Sequence, residues 1–148
     1  MKHRTTISSS SLRKRLMALD VGTRKIGIAI TDPLHLCARP LMTLRRSDLD
    51  EDRDRLLDLI REYEVGKVIV GLPLHLDGDE SSTLDCIRPL TEELREAQVA
   101  VAWQDERLST RLAEEWMSRE KLPVGDRARL RDQYAAALIL QWYLEEQE

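Results

Sequence analysis

The chain contains no phenylalanine, and tryptophan and tyrosine supply only three residues each. No aromatic motif of the kind that stacks single-stranded bases can be read from it, so recognition by base stacking finds little support. Cysteine is scarce. Cys37 and Cys86 lie far apart and outside any CxxC pattern, which argues for two buried thiols and against a disulfide or thiolate metal site. The three histidines, His3, His35 and His75, show no HExxH or other ligand spacing, which disfavours zinc. No run of 18 apolar residues occurs, so no transmembrane helix is expected. The opening MKHRTTISSSSLRKR is basic and rich in Ser and Thr, but no apolar signal-peptide core follows it. A cytoplasmic protein is expected; the same start would serve as a transit peptide only in an organelle-bearing host.

What is present suits one ordinary domain: 148 residues, 42% hydrophobic and 34% charged. The net charge of −4 conceals an asymmetry. Residues 1–15 hold Lys2, Arg4, Arg13, Lys14 and Arg15 and no acid, while the rest holds 18 basic and 27 acidic residues, a balance of −9. Such a body does not attract nucleic acid globally, so polyanion binding has to use local basic patches. The first 15 residues read as a basic, flexible tail, either simply solvated or a phosphate-contacting arm.

Residues 16–21 and 26–31 read as strands joined by a hairpin through Gly22-Thr23-Arg24-Lys25. Residues 36–44 form a candidate third strand, with Pro40 pointing to an edge or a bulge. Ser47, followed by Asp48, Asp50 and Glu51, opens a helix with acids in its first turn. Lys67–Leu72 is a short apolar run suited to a buried parallel strand. A loop over 73–82, a helix over 82–97 and a strand over 99–103 follow. Two more helices, from Ser109 to Glu120 and from Ala128 to Glu146, complete the chain. This order predicts an α/β domain over 16–148: a mixed five-stranded sheet, three antiparallel strands then two parallel, flanked by helices. Ligands on such sheets gather at the carboxyl ends of the strands.

Three carboxylates stand in awkward places. Asp20 ends the first strand on the face shared by Leu16 and Ala18. A turn-capping Asp is the plain alternative. In Gln104-Asp105-Glu106-Arg107, just beyond VAVAW, alternation puts Glu106 on the face of Ala100 and Ala102 and Asp105 on the other. An acidic loop favouring the next helix N-terminus would look the same. Asp132 heads an apolar stripe of Ala135, Ala136, Ile139, Leu140 and Tyr143; a first-turn acid satisfied by the helix dipole is its plain reading. Converging, the three would repel one another unless divalent cations joined them. Hard oxygen donors suit Mg²⁺ or Mn²⁺, and a pair of such ions cleaves phosphodiesters.

The segments ALDVGTRKIGIAITD, VIVGLPLHLDGDESS, DERLST and DQYAAALIL, in that order, resemble the YqgF (RuvX-type) family across Leu16 to Leu144. The resemblance implies a ribonuclease-H-like fold. It also implies a hydrolase with a two-metal mechanism, a nuclease for the 5′ end of pre-16S rRNA in ribosome biogenesis or a Holliday-junction resolvase. It assigns catalytic and metal-binding roles to Asp20, Glu106 (not Asp105) and Asp132. His75 stands where the family often has Asn. Thr23, Arg24, Lys25, His75, Arg107, Ser109, Arg111, Arg127 and Arg129 are candidate substrate contacts, the last two within a basic stretch leading into Asp132. The expected partner is nucleic acid, an rRNA precursor within a pre-ribosomal particle or branched DNA; a monomer or weak homodimer is expected, and no membrane. Two rivals remain at this stage: a non-catalytic nucleic-acid-binding module, and an ATPase, since DVGT…IGIA also resembles the phosphate hairpin of actin-like kinases.

Overall fold

The computed structural model describes residues 14–73, 80–106 and 109–147, with side chains throughout except at positions 73, 80–83, 106, 109 and 110. Five strands, β1 (Arg15–Val21), β2 (Lys25–Thr31), β3 (Ala38–Arg45), β4 (Val65–Pro73) and β5 (Val101–Glu106), form one sheet in the order β3-β2-β1-β4-β5. β1, β2 and β3 pair antiparallel, and β4 and β5 continue parallel to β1. The mixed sheet is the one expected. Arg15, assigned to the tail from sequence, is the first residue of β1, and its guanidinium donates to the Tyr63 carbonyl at 3.1 Å.

Strand alternation sends Met17, Leu19, Val21, Ile26 and Ile28 to one face. There α1 (Leu49–Glu62) and α2 (Glu80–Glu96) cover them with Leu56, Leu59, Ile87, Leu90 and Leu94. The other face, with Leu16, Ala18, Ala29 and Ile69, packs under Ala136, Ala137, Ile139 and Leu140 of α4 (Val124–Glu146). Helix α3 (Ser109–Arg119) rests on α4 through Ala113, Met117 and Tyr134. Helix α4 is therefore enclosed on two sides, which is why Tyr134 and Ala137 are buried along with Ala135, Ala136, Ile139 and Leu140 of the stripe read from sequence, whose last member, Tyr143, is half-buried.

Several boundaries differ from the sequence reading. Asp48, not Ser47, caps α1: its carboxylate accepts from the Glu51 amide at 2.8 Å, and a carboxylate at this site also meets the positive helix end. Strand β5 runs through Glu106, so Gln104, Asp105 and Glu106 belong to the strand rather than to a loop beyond it. Pairing with β4 extends it, Gly71 matching Gln104 and Pro73 matching Glu106. Pro40 does sit on an edge strand, beside a register shift between Ile28 and Ala29. Cys37 is exposed rather than buried.

Candidate active site

Asp20 and Asp132 line one cleft of about 230 Å³ together with Gly22, Thr23, Arg24 and Lys25. Asp20 is the sixth residue of β1, near the carboxyl end of the strand. Leu16 and Ala18 point to the α4 face, so period-2 alternation gives Asp20 that same face. Between Asp20 and the start of β2 the chain reverses in a tight turn. The Gly22 amide donates to the Lys25 carbonyl at 2.8 Å, leaving Thr23 and Arg24 at the tip. Thr23, Arg24 and Lys25 are exposed.

Helix α4 begins at Val124, earlier than its apolar pattern suggests, with Pro123 at the N-cap. Asp132 is thus in the third turn, where the positive end of the helix dipole no longer reaches. The first-turn reading of this carboxylate fails for that reason. What brings Asp132 to the sheet is Gly27, which pairs with Asp20 in the β1–β2 register. A Cβ built on Gly27 would lie 2.0 Å from the Asp132 carbonyl oxygen and 2.3 Å from its carbonyl carbon. Only a residue without a side chain permits this approach. The helix backbone rests on β2, and its carboxylate-bearing residue stands beside Asp20 in consequence. Further along, α4 is pinned across the sheet. Gln133 donates to Thr43 of β3 at 3.5 Å, Lys67 of β4 to the Tyr143 hydroxyl at 2.8 Å, and Gln104 of β5 to Glu146 at 3.2 Å.

Glu106 closes β5 at the carboxyl end of the same parallel unit, two residues beyond Gln104. Its side chain lies outside the described residues, as do Arg107 and His75 entirely and the side chain of Ser109. Among the described residues, no cluster of three Asp, Glu, His or Cys side chains could hold a metal ion. Two carboxylates of the expected triad share the cleft, and their hard oxygens fit Mg²⁺ or Mn²⁺ rather than a soft metal.

The candidate cations divide into two groups. Arg24 and Lys25 line the cleft and form no ion pair among the described residues. Arg111, Arg127 and Arg129 do not line it. Arg111 faces Glu115 at 3.7 Å, Arg129 faces Asp126 at 3.4 Å, and Arg127 donates to the Leu122 carbonyl at 3.0 Å. The two ion pairs are exposed and hold little free energy, so phosphate can compete for them. Cys86 is half-buried, its Sγ 3.9 Å from the Val21 carbonyl. Burial pushes its thiol up, a push the nearby Arg46 opposes and the Asp20 charge reinforces, so it stays protonated at neutral pH.

Sequence reasoning passed over two residues near the site, Gly27 and Arg46. A glycine inside a β pattern marks a close approach, and Gly27 in KIGIAIT was such a mark. Arg46 had none, because its partners come from distant segments. Of the tryptophans, Trp103 is exposed under the Arg95 guanidinium, 5.6 Å from its ring centroid, and Trp116 packs edge-on to Tyr134 at 5.5 Å.

The mixed five-stranded sheet flanked by helices is the ribonuclease-H-like fold. The fold is shared with Thermus thermophilus RuvC bound to a Holliday junction (TM-score 0.61, 18% identity, 90% of this chain and 96% of that one). It is shared also with the fowlpox virus resolvase bound to junction DNA (TM-score 0.59, 11% identity, 90% and 98%). Residues 14–146 match the family described as "RuvX: Holliday junction resolvase", and the chain belongs to that family. A relative from Roseiflexus sp. (strain RS-1), named "Putative pre-16S rRNA nuclease", is 41% identical over 93% of this chain and 99% of its own length. One of the same name from Desulforamulus reducens is 37% identical over 88% and 96%.

Proposed function

We propose that the chain is a metal-dependent nuclease that hydrolyses phosphodiester bonds in structured nucleic acid, with the 5′ region of pre-16S rRNA as substrate. The observation that carries this reading is the meeting of Asp20 from β1 and Asp132 from α4 in one cleft beside Arg24 and Lys25. Full-length relatives named for that rRNA support the choice of substrate, and the rRNA would be met within a pre-ribosomal particle. No helix among the described residues is long and apolar enough to cross a membrane; it is the rRNA substrate of this reading that places the work in the cytoplasm.

In this mechanism Asp20, Asp132 and Glu106 would hold Mg²⁺ or Mn²⁺, two ions in the full site. When bound, such metal would supply Lewis-acid polarisation of the scissile phosphate and activation of water at neutral pH. The chain's own part is electrostatic and geometric. The carboxylates orient the attacking water opposite the leaving 3′ oxygen, and Arg24 and Lys25 neutralise non-bridging phosphate oxygens. Thr23, His75, Arg107, Ser109, Arg111, Arg127 and Arg129 extend the contact along the backbone, so shape and phosphate positions are read rather than base edges.

Cleavage of branched DNA is the second reading, favoured by the description of the family. Incubating the protein with a structured rRNA precursor, a single-stranded RNA and a four-way DNA junction, with Mg²⁺, Mn²⁺ or EDTA, separates these. Metal-dependent cleavage of the precursor, lost in Asp20→Asn, is the expected result. Preferred cutting of the junction would transfer the assignment to DNA. Tight binding with no cutting of any substrate would leave a non-catalytic module.

A further inference from the structure

Arg46 directly follows β3 and is mostly buried, its side chain 12% exposed. Its Nη1 donates to the Gly22 carbonyl at 3.1 Å and to the Cys86 carbonyl of α2 at 3.0 Å. Its Nε donates to Asp52 of α1 at 3.0 Å, and its backbone amide donates to the Arg24 carbonyl at 2.8 Å. Asp52, 2% exposed, is itself held by the Ser47 amide at 2.9 Å. One residue therefore grips both carbonyls that flank Thr23 and fastens them to two helices on the far face of the sheet.

The hairpin does not need this grip to close. The Gly22–Lys25 hydrogen bond and the Val21–Ile26 pair already do so. Nor is a buried ion pair a favourable choice for stability alone, because desolvating both charges offsets most of their attraction. What the arrangement adds is a fixed orientation for a tip that carries two cations into the acidic cleft. The planar fork of arginine suits several fixed acceptors at once, where a lysine ammonium is a point donor.

We propose that Arg46 is a positioning residue for substrate binding: it locks the Gly22–Lys25 turn so that Arg24 and Lys25 face the phosphate backbone. This rests on the nuclease reading of the cleft above. The test is a mutant cycle in an Asp132→Asn background, where cleavage is silenced, using a fluorescent RNA hairpin with a single-stranded 5′ extension and reading anisotropy at low salt. Arg46→Lys weakens binding roughly tenfold when Arg24 and Lys25 are present, and less than about twofold when both are alanine, the signature of residues acting as one unit. Hydrogen exchange gives a readout without ligand: the Gly22 and Arg46 amides lose protection in Arg46→Lys while amides in the centre of the sheet keep theirs. Equal losses in both backgrounds, or full affinity in a folded Arg46→Lys protein, overturn the proposal. If Arg46→Lys does not fold, Asp52→Asn, which loosens Arg46 but still accepts from Ser47, replaces it in the cycle, and additive losses there overturn it equally. If neither the wild-type protein nor Asp132→Asn binds RNA, the nuclease reading is rejected, and the role of Arg46 with it; if only the wild-type protein binds, the same cycle is read in wild type with EDTA, where cleavage is silenced. Retained binding with additive losses rejects Arg46 alone.

Discussion

At the scale of single residues, the site sets charge against charge. Asp132 stands in a helix interior beside a second carboxylate, without the helix dipole to stabilise it. Asp132→Asn is expected to reduce cleavage to background while leaving the melting temperature in EDTA equal or higher, since one source of like-charge repulsion is gone. A large loss of stability would mark it as a structural residue instead. Tyr134 illustrates the opposite situation, a polar group well partnered. Its hydroxyl donates to Glu120 at 2.6 Å, and Glu120 also accepts from the Trp116 indole at 2.8 Å. Burial, then Glu120, pushes the Tyr134 hydroxyl up to about 12. A raised value means that the folded state keeps a proton the unfolded chain has lost. The contribution is therefore complete below the ordinary tyrosine value of 10 and declines as pH rises from there to about 12. Tyrosinate absorbance should show one tyrosine ionising late, and Glu120→Gln should bring it earlier. An unchanged profile in that variant would remove Glu120 as a cause.

At the scale of elements, glycine and aspartate decide two local arrangements. Gly27 sets the distance between β2 and α4. Gly27→Ala puts a methyl group against the Asp132 backbone, and relieving that contact costs about 1–3 kcal/mol by the usual penalty for overpacking. It also displaces Asp132 from Asp20. Denaturant unfolding should show the loss of stability, and calorimetric titration with Mn²⁺ should show weakened binding. An alanine variant with wild-type metal affinity would mean that the close approach has no part in the site. Asp32, after β2, holds the following loop by accepting from the Leu34, Leu36 and Cys37 amides at 3.1, 2.9 and 2.9 Å. Burial opposes its charge, but those three amides outweigh it and hold the carboxyl below its ordinary value of 3.8. A depressed value gives stability that is present above pH 3.8 and fades as pH falls through the lower folded value. Asp32→Ala should flatten this acid limb of the stability curve and remove on the order of 1 kcal/mol at neutral pH.

At the scale of the molecule, an acidic body has to hold a polyanion with few cations. With a net charge of −4, long-range attraction is absent and binding relies on local contacts. Each phosphate neutralised on a duplex contributes about 0.9 to the slope of log affinity against log salt. Replacing both Arg24 and Lys25 by alanine should thus lower that slope by roughly 1.5–2. A slope unchanged by the double substitution would show that the turn does not touch phosphate. Most of the described surface arginines outside the cleft are already committed to nearby acids or carbonyls, which leaves the turn as the focal basic element there.

Hydrophobic periodicity by itself determined the class of fold. Alternating β1 and β2, the short apolar runs of β4 and β5 and the striped last helix leave a mixed sheet covered by helices as the way to bury their faces. Strand alternation and the helical stripe made carboxylates at Asp20, at Asp105 or Glu106 and at Asp132 conspicuous, because a charge in line with a buried face is costly; the family resemblance then assigned the triad and chose Glu106 over Asp105. Tertiary structure alone decided where α4 starts, how far β5 runs and what lies against what. Pairing with β4 drew Gln104 to Glu106 into the strand, the missing side chain of Gly27 admitted the backbone of Asp132, and Arg46 found acceptors 22, 24 and 40 residues away in the chain. Such contacts leave no periodic trace, since they depend on distances between segments that the chain brings together only when it folds.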